Sequence, residues 1–214
     1  LGRNGSGKST LLNTMAALLK PISGEVRISR GHNDGSPEER PIVVHQMSVQ
    51  ECARWVSILL PTAETPPLTV QELVSLGRLP HGNLPLGASN LGESISGSLH
   101  LGENSSGSLN FGESISGSLH PVEQALEFCG ISHWAARKVQ TLSSGQRQRV
   151  MLARAVAQDT PIMLLDEPTN FLDVEATDEV FQLLSHLAQQ GKIIIVATHQ
   201  RDWAQRHAHQ VLQL

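Results

Sequence analysis

The sequence predicts an α/β fold in which a parallel sheet is covered by helices on both faces. Three observations carry that expectation. Short, almost wholly apolar runs rich in β-branched residues recur along the chain, at Val56–Leu60, Ile162–Leu165 and Ile193–Ala197. Segments of helical period stand between them. A strand that is apolar on both faces is what a sheet buried on both sides demands, and sheets of that kind are parallel. The composition agrees: 39% of the 214 residues are hydrophobic and 17% charged, enough to build a core, in a chain long enough for one large domain or two small ones.

The elements follow in order. Leu11, Leu12, Met15, Leu18 and Leu19 recur at helical spacing after a glycine-rich stretch, and Pro21 closes that helix. Ser23-Gly24 reads as a turn and Glu25–Ser29 alternates like a short strand. Residues 30–41 carry Gly, Pro, Asn, Asp and Glu and read as a loop. Ser48 is placed to cap a helix through Arg54, ahead of the Val56–Leu60 strand. Pro61–Pro67 is a loop and Val70–Leu76 a helix. Val122–Cys129 forms a helix ended by Gly130, and Ser143 or Ser144 caps another running to about Gln158, where Pro161 breaks it. Val174–Gln189 is a helix ended by Gly191, and Asp202–His207 begins the last one.

Residues 91–120 stand apart. They are three successive decapeptides, LGESISGSLH, LGENSSGSLN and FGESISGSLH, dominated by Gly and Ser. Their composition reads as a flexible low-complexity insert, with a small β-like stack or a partner-binding loop as alternatives.

Net charge is −4 and Lys/Arg runs are short, so charge gives no reason to expect a nucleic-acid partner. The longest apolar runs, Met15–Leu19 and Ile193–Ala197, are far too short for a bilayer span, and no signal peptide is expected. Cys52 and Cys129 fit no metal or redox spacing, which suits a reducing compartment.

Two motifs carry chemistry. Gly2-x4-Gly7-Lys8-Ser9, with a further glycine at Gly5, satisfies the phosphate-loop pattern and opens directly into a helix. Glycines there let backbone N–H groups converge on a phosphate, and the helix start adds its positive dipole end. Gly2, Asn4, Gly5, Ser6, Gly7 and Thr10 are the candidate nucleotide contacts. Lys8 is the candidate partner of the β- and γ-phosphates, and the Ser9 hydroxyl a candidate Mg²⁺ ligand. Such a loop follows a buried strand, so the chain, which begins at Leu1, is expected to lack its N-terminal strands. The second motif is the Ile162–Leu165 strand ending in Asp166 and Glu167. A carboxylate beside a phosphate loop suits Mg²⁺, which assigns Asp166 to the metal and Glu167 to the attacking water.

Leu142-Ser143-Ser144-Gly145-Gln146 precedes Asp166 by 24 residues. With it the chain resembles the nucleotide-binding domain of ATP-binding cassette (ABC) proteins, whose signature has the form Leu-Ser-Gly-Gly-Gln. His199 falls at that family's switch-histidine position, and Asn170-Phe171-Leu172-Asp173 resembles its D-loop. The resemblance implies a P-loop NTPase, one domain over 1–214, with a helical subdomain over about 62–160 that carries the 91–120 insert. It implies ATP and Mg²⁺ as ligands and hydrolysis through Lys8, Glu167 and His199. It further implies a second cassette domain, each partner offering Ser143, Gly145, Gln146 and Asp173 to the other's ATP, and membrane permease subunits at the cytoplasmic face of the inner membrane. The stretch Leu68-Thr69-Val70-Gln71-Glu72-Leu73-Val74 followed by Leu76-Gly77-Arg78-Leu79-Pro80-His81 is similar to importer ATPases for iron–siderophore, haem and cobalamin uptake.

Three departures bear on that resemblance. Thr62 stands where the family places a Mg²⁺-contacting glutamine, Ser144 replaces the first signature glycine, and the aromatic that the family stacks on adenine is expected before Leu1. A soluble ABC ATPase without a transport role and an ATP-binding module with weak hydrolysis are the alternatives. The repeats contain no heptads, and Lys8, Asp166, Glu167 and His199 are all retained, which weighs against both. His207 and His209 read as a solvated helix end, and Trp55, Trp134 and Trp203 as packing residues.

Overall fold

The computed structural model describes residues 1–2, 5–29, 41–61, 65–82 and 121–214. The 91–120 repeats lie outside these residues, as do Asn4, Thr62 and most of the 30–41 loop.

Three parallel strands form the centre: β3 (Val56–Leu59), β4 (Ile162–Asp166) and β5 (Ile193–Ala197), in the order β3-β4-β5. Val56 stands opposite Ile162, and Asp166 opposite Ala197. The side chains of β4 alternate between two apolar clusters. Leu164 packs with Leu12 of α1 (Lys8–Met15) and Cys52 of α2 (Val49–Trp55). Met163 and Leu165 face the other way, into a larger cluster. That cluster holds α3 (Val70–Ser75), α4 (Pro121–Phe128), α5 (Ser144–Ala157) and α6 (Val174–Gln189). Both faces of the sheet are thus covered, as the doubly apolar strands require. A separate antiparallel pair, β1 (Arg27–Ile28) and β2 (Ile42–Val43), lies on the α1 side. The last helix, α7 (Arg201–His207), follows β5. Among the described residues no helix is long and apolar enough to cross a membrane.

The helix starts are set by local chemistry. Ser48, Thr69 and Ser143 each form a reciprocal capping box, with Glu51, Glu72 and Gln146. Asp173 caps α6 by accepting from the Ala176 N–H at 2.8 Å.

Several boundaries differ from expectation, among them the Glu25–Ser29 strand, which shortens to Arg27–Ile28. α1 ends at Met15 rather than near Leu19, because Ala17 takes a left-handed conformation (φ 58°) and Leu18 N–H closes back on Asn13 O at 2.9 Å. The helix from Val70 tightens at Leu76 into a 3-10 segment through His81. Pro80 sits inside that segment, where it cannot donate to an α-helical ladder.

Candidate nucleotide-binding site

Gly5 and Gly7 have φ of +84° and +92°, a conformation in which a side chain would be strained. That backbone leads into α1, whose N-terminus carries no side-chain cap. The first-turn N–H groups are therefore left for a ligand, and the positive end of the helix dipole lies with them. Lys8 is buried, and its Nζ donates to the Gly2 carbonyl at 2.8 Å.

The carboxylates come from the end of β4. Asp166 is buried, and Glu167 leaves the strand with φ +48°. A non-glycine residue in this region is held there by its surroundings. Here Glu167 N–H donates to Ala197 O of β5 at 2.9 Å, which turns the side chain off the end of the sheet. His199, two residues past β5, donates from Nδ1 to the Glu167 carboxylate at 3.0 and 3.1 Å. The Glu167 side chain is 12% exposed and that of His199 56%, so the imidazole forms the solvent side of the pair.

These parts enclose a cavity of about 360 Å³ lined by Gly5, Gly7, Lys8, Ser9, Thr10, Pro61, Asp166 and Glu167. A cationic ammonium and a helix start face two carboxylates and a hydroxyl across it. The first half suits an oligophosphate. The second offers a hydroxyl and a carboxylate to a hard divalent cation, which takes its remaining ligands from phosphate and water. No cluster of three or more His, Cys, Asp or Glu able to hold a metal occurs among the described residues. A larger cavity, about 570 Å³, runs beside β5 between Leu11, Met15, Phe181 and Val211. Its lining is chiefly aliphatic, so the smaller, polar cavity is the better binding site despite its size.

Most of the residues singled out from sequence meet here: Gly5, Gly7, Lys8, Ser9, Thr10, Asp166 and Glu167 at the cavity, and His199 on Glu167. Gly2 stands behind the loop, as the acceptor for Lys8, and Ser6 is beside it. Asn4 lies outside the described residues. Ser143, Gly145, Gln146 and Asp173 do not line the cavity. They form a second group: a Cβ on Gly145 would stand 3.0 Å from Phe171 O and 3.3 Å from Leu172 Cδ2, so the start of α5 is pressed against the 170–173 loop. Two participants were not foreseen. Pro61 lines the cavity, for which its place directly after the β3 run was the available signal. Gln148 donates to Pro168 O at 2.9 Å, tying α5 to the turn after Glu167, and nothing in its spacing announces that bond.

Residues 1–170 match the family described as ABC transporter. The chain is 35% identical over 216 residues to the iron(3+)-hydroxamate import ATP-binding protein FhuC of Bacillus subtilis (strain 168), covering 100% of this chain and 66% of that protein. It is 39% identical over 210 residues to the achromobactin transport ATP-binding protein CbrD of Dickeya dadantii (strain 3937), covering 97% and 64%. The chain thus spans just under two thirds of the length of these relatives. Among solved structures, a dimeric post-hydrolysis state of the ATP-binding cassette MJ0796 bound to ADP and Pi is similar, with a TM-score of 0.70 and 27% identity. That likeness covers 100% of this chain and 78% of the other.

Proposed function

Since the chain belongs to the ABC transporter family, we propose that it is the ATP-binding and ATP-hydrolysing part of an importer that drives uptake of an iron–siderophore, haem or cobalamin-type cargo through membrane permease subunits. The observation that carries the reading is the polar cavity, in which Lys8, Ser9 and Asp166 meet a Glu167 carboxylate already held by His199. The cargo class rests on the importer motifs over residues 68–81 and on the names of the relatives.

In this reading the β-phosphate of ATP sits on the Gly5–Gly7 N–H groups and the start of α1. The Lys8 ammonium leaves the Gly2 carbonyl for the β- and γ-oxygens. Ser9 Oγ and Asp166 would hold Mg²⁺, which when bound neutralises charge on the transferred phosphoryl group. Glu167 orients the attacking water and takes its proton as the new O–P bond forms and the bond to ADP breaks. His199 anchors that carboxylate through Nδ1–H, leaving Nε2 free to face the γ-phosphate.

Ser143, Gly145 and Gln146 stand apart from the cavity at the start of α5, and Asp173 ends the 170–173 loop that packs against it. A second copy supplies them across a dimer interface, so that ATP joins the two halves and its hydrolysis separates them. Residues 62–160 act as the helical subdomain, and the assembly works at the cytoplasmic face of the inner membrane.

Thr62 in place of the family's glutamine favours one second reading, a module that binds ATP but hydrolyses it only weakly. Co-expression with a permease pair separates the readings. Recruitment to membranes together with raised ATP turnover supports the importer, whereas a soluble distribution and unchanged turnover contradict it.

A further inference from the structure

We propose that Arg78 and His81, with Lys192, form a hydrogen-bonded clamp on the C-terminal end of α5 that sets where the distant Ser143 end of the same helix stands. The proposal rests on the reading of Ser143–Gln146 as a part of the ATP site.

The last carbonyls of a helix have no partner within it and carry its negative dipole end. At α5 two side chains converge on them, and a third holds the turn just beyond the helix end. Arg78 Nη1 donates to Ala157 O at 3.0 Å, His81 Nε2 donates to Gln158 O at 2.7 Å, and Lys192 Nζ donates to Thr160 O at 3.0 Å. Lys192 also pairs with Asp159 at 2.8 Å, and Asp159 holds the left-handed position (φ 52°) that closes the helix. The same turn is tied to α2 and the sheet: Gln158 Nε2 donates to Ala53 O at 2.7 Å and to Val56 O at 3.2 Å. Arg54 Nε in turn donates to Pro80 O at 2.8 Å, fastening the 3-10 segment to α2.

Two details argue that this junction does more than fill space. Arg78 is 8% exposed, yet its Nε is buried without a partner among the described residues. A desolvated guanidinium with an idle donor is a costly way to pack a helix, and an aliphatic side chain would fill the space without that penalty. At Gly77, a Cβ would stand 2.4 Å from Arg154 O, so the segment lies against the backbone of α5 with no side chain between. A rigid α-helix pivoted at one end converts a small rotation there into a shift at the other. The 14 residues of α5 give a lever of about 21 Å between the clamp and the signature end.

Arg78 and His81 are therefore positioning residues: neither lines the nucleotide cavity. The test uses the full-length protein with Arg78→Gln, Arg78→Lys and His81→Leu variants. ATP affinity is measured alongside steady-state hydrolysis, and spin labels at Thr141 and Gln189 report the distance from the signature end of α5 to the end of α6. The clamp predicts a Kd for ATP within about twofold of wild type, kcat lowered roughly tenfold in Arg78→Gln and His81→Leu, and partial recovery in Arg78→Lys. It also predicts a broadened label distance. Unchanged kcat and distance overturn it. So does a kcat that falls only in step with ATP affinity or with the folded fraction. If the wild type proves not to hydrolyse ATP, the proposed function fails while the label distances still decide the clamp: a broadened distribution in Arg78→Gln or His81→Leu upholds it and an unchanged one refutes it. His81→Leu serves if Arg78→Gln does not fold.

Discussion

Exchanging Gln146 for Glu is predicted to leave the protein as stable as before and yet suppress ATP turnover. Three helices begin with capping boxes, but their hydroxyls are used differently. Ser48 Oγ and Thr69 Oγ1 donate their own protons to Glu51 and Glu72, at 2.7 and 2.8 Å. In the third box Ser143 Oγ accepts from Gln146 N–H at 3.2 Å, and Gln146 Oε1 accepts from the Ser143 backbone N–H at 3.0 Å. Among the described residues the Ser143 O–H has no acceptor, so it remains available to a phosphate. A carboxylate introduced by Gln146→Glu would draw that proton to itself and add a negative charge at the start of α5, whose first turn holds no acidic residue. For the helix alone the charge is favourable, by about 0.3–1 kcal/mol. For an incoming γ-phosphate it is repulsive: one charge at about 6 Å, with an effective dielectric of about 20, costs about 3 kcal/mol, or roughly 100-fold. Thermal denaturation and Mg²⁺-ATP turnover on the same preparations check both signs. A Gln146→Glu protein that melts no lower and hydrolyses ATP within twofold of wild type refutes the reasoning.

Other expectations follow from individual contacts. Burial raises the Cys129 thiol to about 12 and also raises that of Cys52, so neither should react with a thiol reagent at neutral pH until the protein is unfolded. Glu72 is held below the ordinary carboxylate value of 4.5 by the Thr69 N–H and then its hydroxyl, and Asp159 below 3.8 chiefly by its hydrogen bond from Lys192. Both depressions stabilise the folded state above those ordinary values and are lost as pH falls through the lower folded ones. Denaturant midpoints should therefore drop as pH falls below those ordinary values, less steeply in Glu72→Gln; equal slopes would contradict the assignment. Gly145→Ala should slow hydrolysis by displacing the signature turn from Phe171 O, with ATP binding by the phosphate loop retained in equilibrium titrations.

Much of the fold was legible in the sequence because the relevant forces are local. The β-branched run of β5 and the Val174–Gln189 helix, capped by Asp173 and closed at Gly191, coincide with their expected bounds. Where closure depended on conformation rather than residue type, the reading failed: Ala17 ends α1 in a left-handed turn that glycine more often supplies. The motifs put Lys8 and Ser9 at a helix start and Asp166 and Glu167 at a strand end, and the structure brings the two ends together around one cavity. The left-handed backbone at Glu167 and the exposed side of its contact with His199 depend on how β4 and β5 pair, which no local pattern encodes. The convergence of Arg78, His81 and Lys192 on one helix end was illegible for the same reason. Its acceptors are backbone carbonyls, and carbonyls leave no mark on a sequence.

Steady-state Mg²⁺-ATP hydrolysis by the full-length protein, compared with its Glu167→Gln variant, tests the central claim most directly. Loss of the carboxylate that takes the proton from water predicts turnover lower by roughly 100-fold or more, with ATP still bound. Equal turnover in the two proteins, or none in either despite tight ATP binding, would contradict the assignment of Glu167 and with it the reading of the chain as a self-sufficient ATP-hydrolysing cassette.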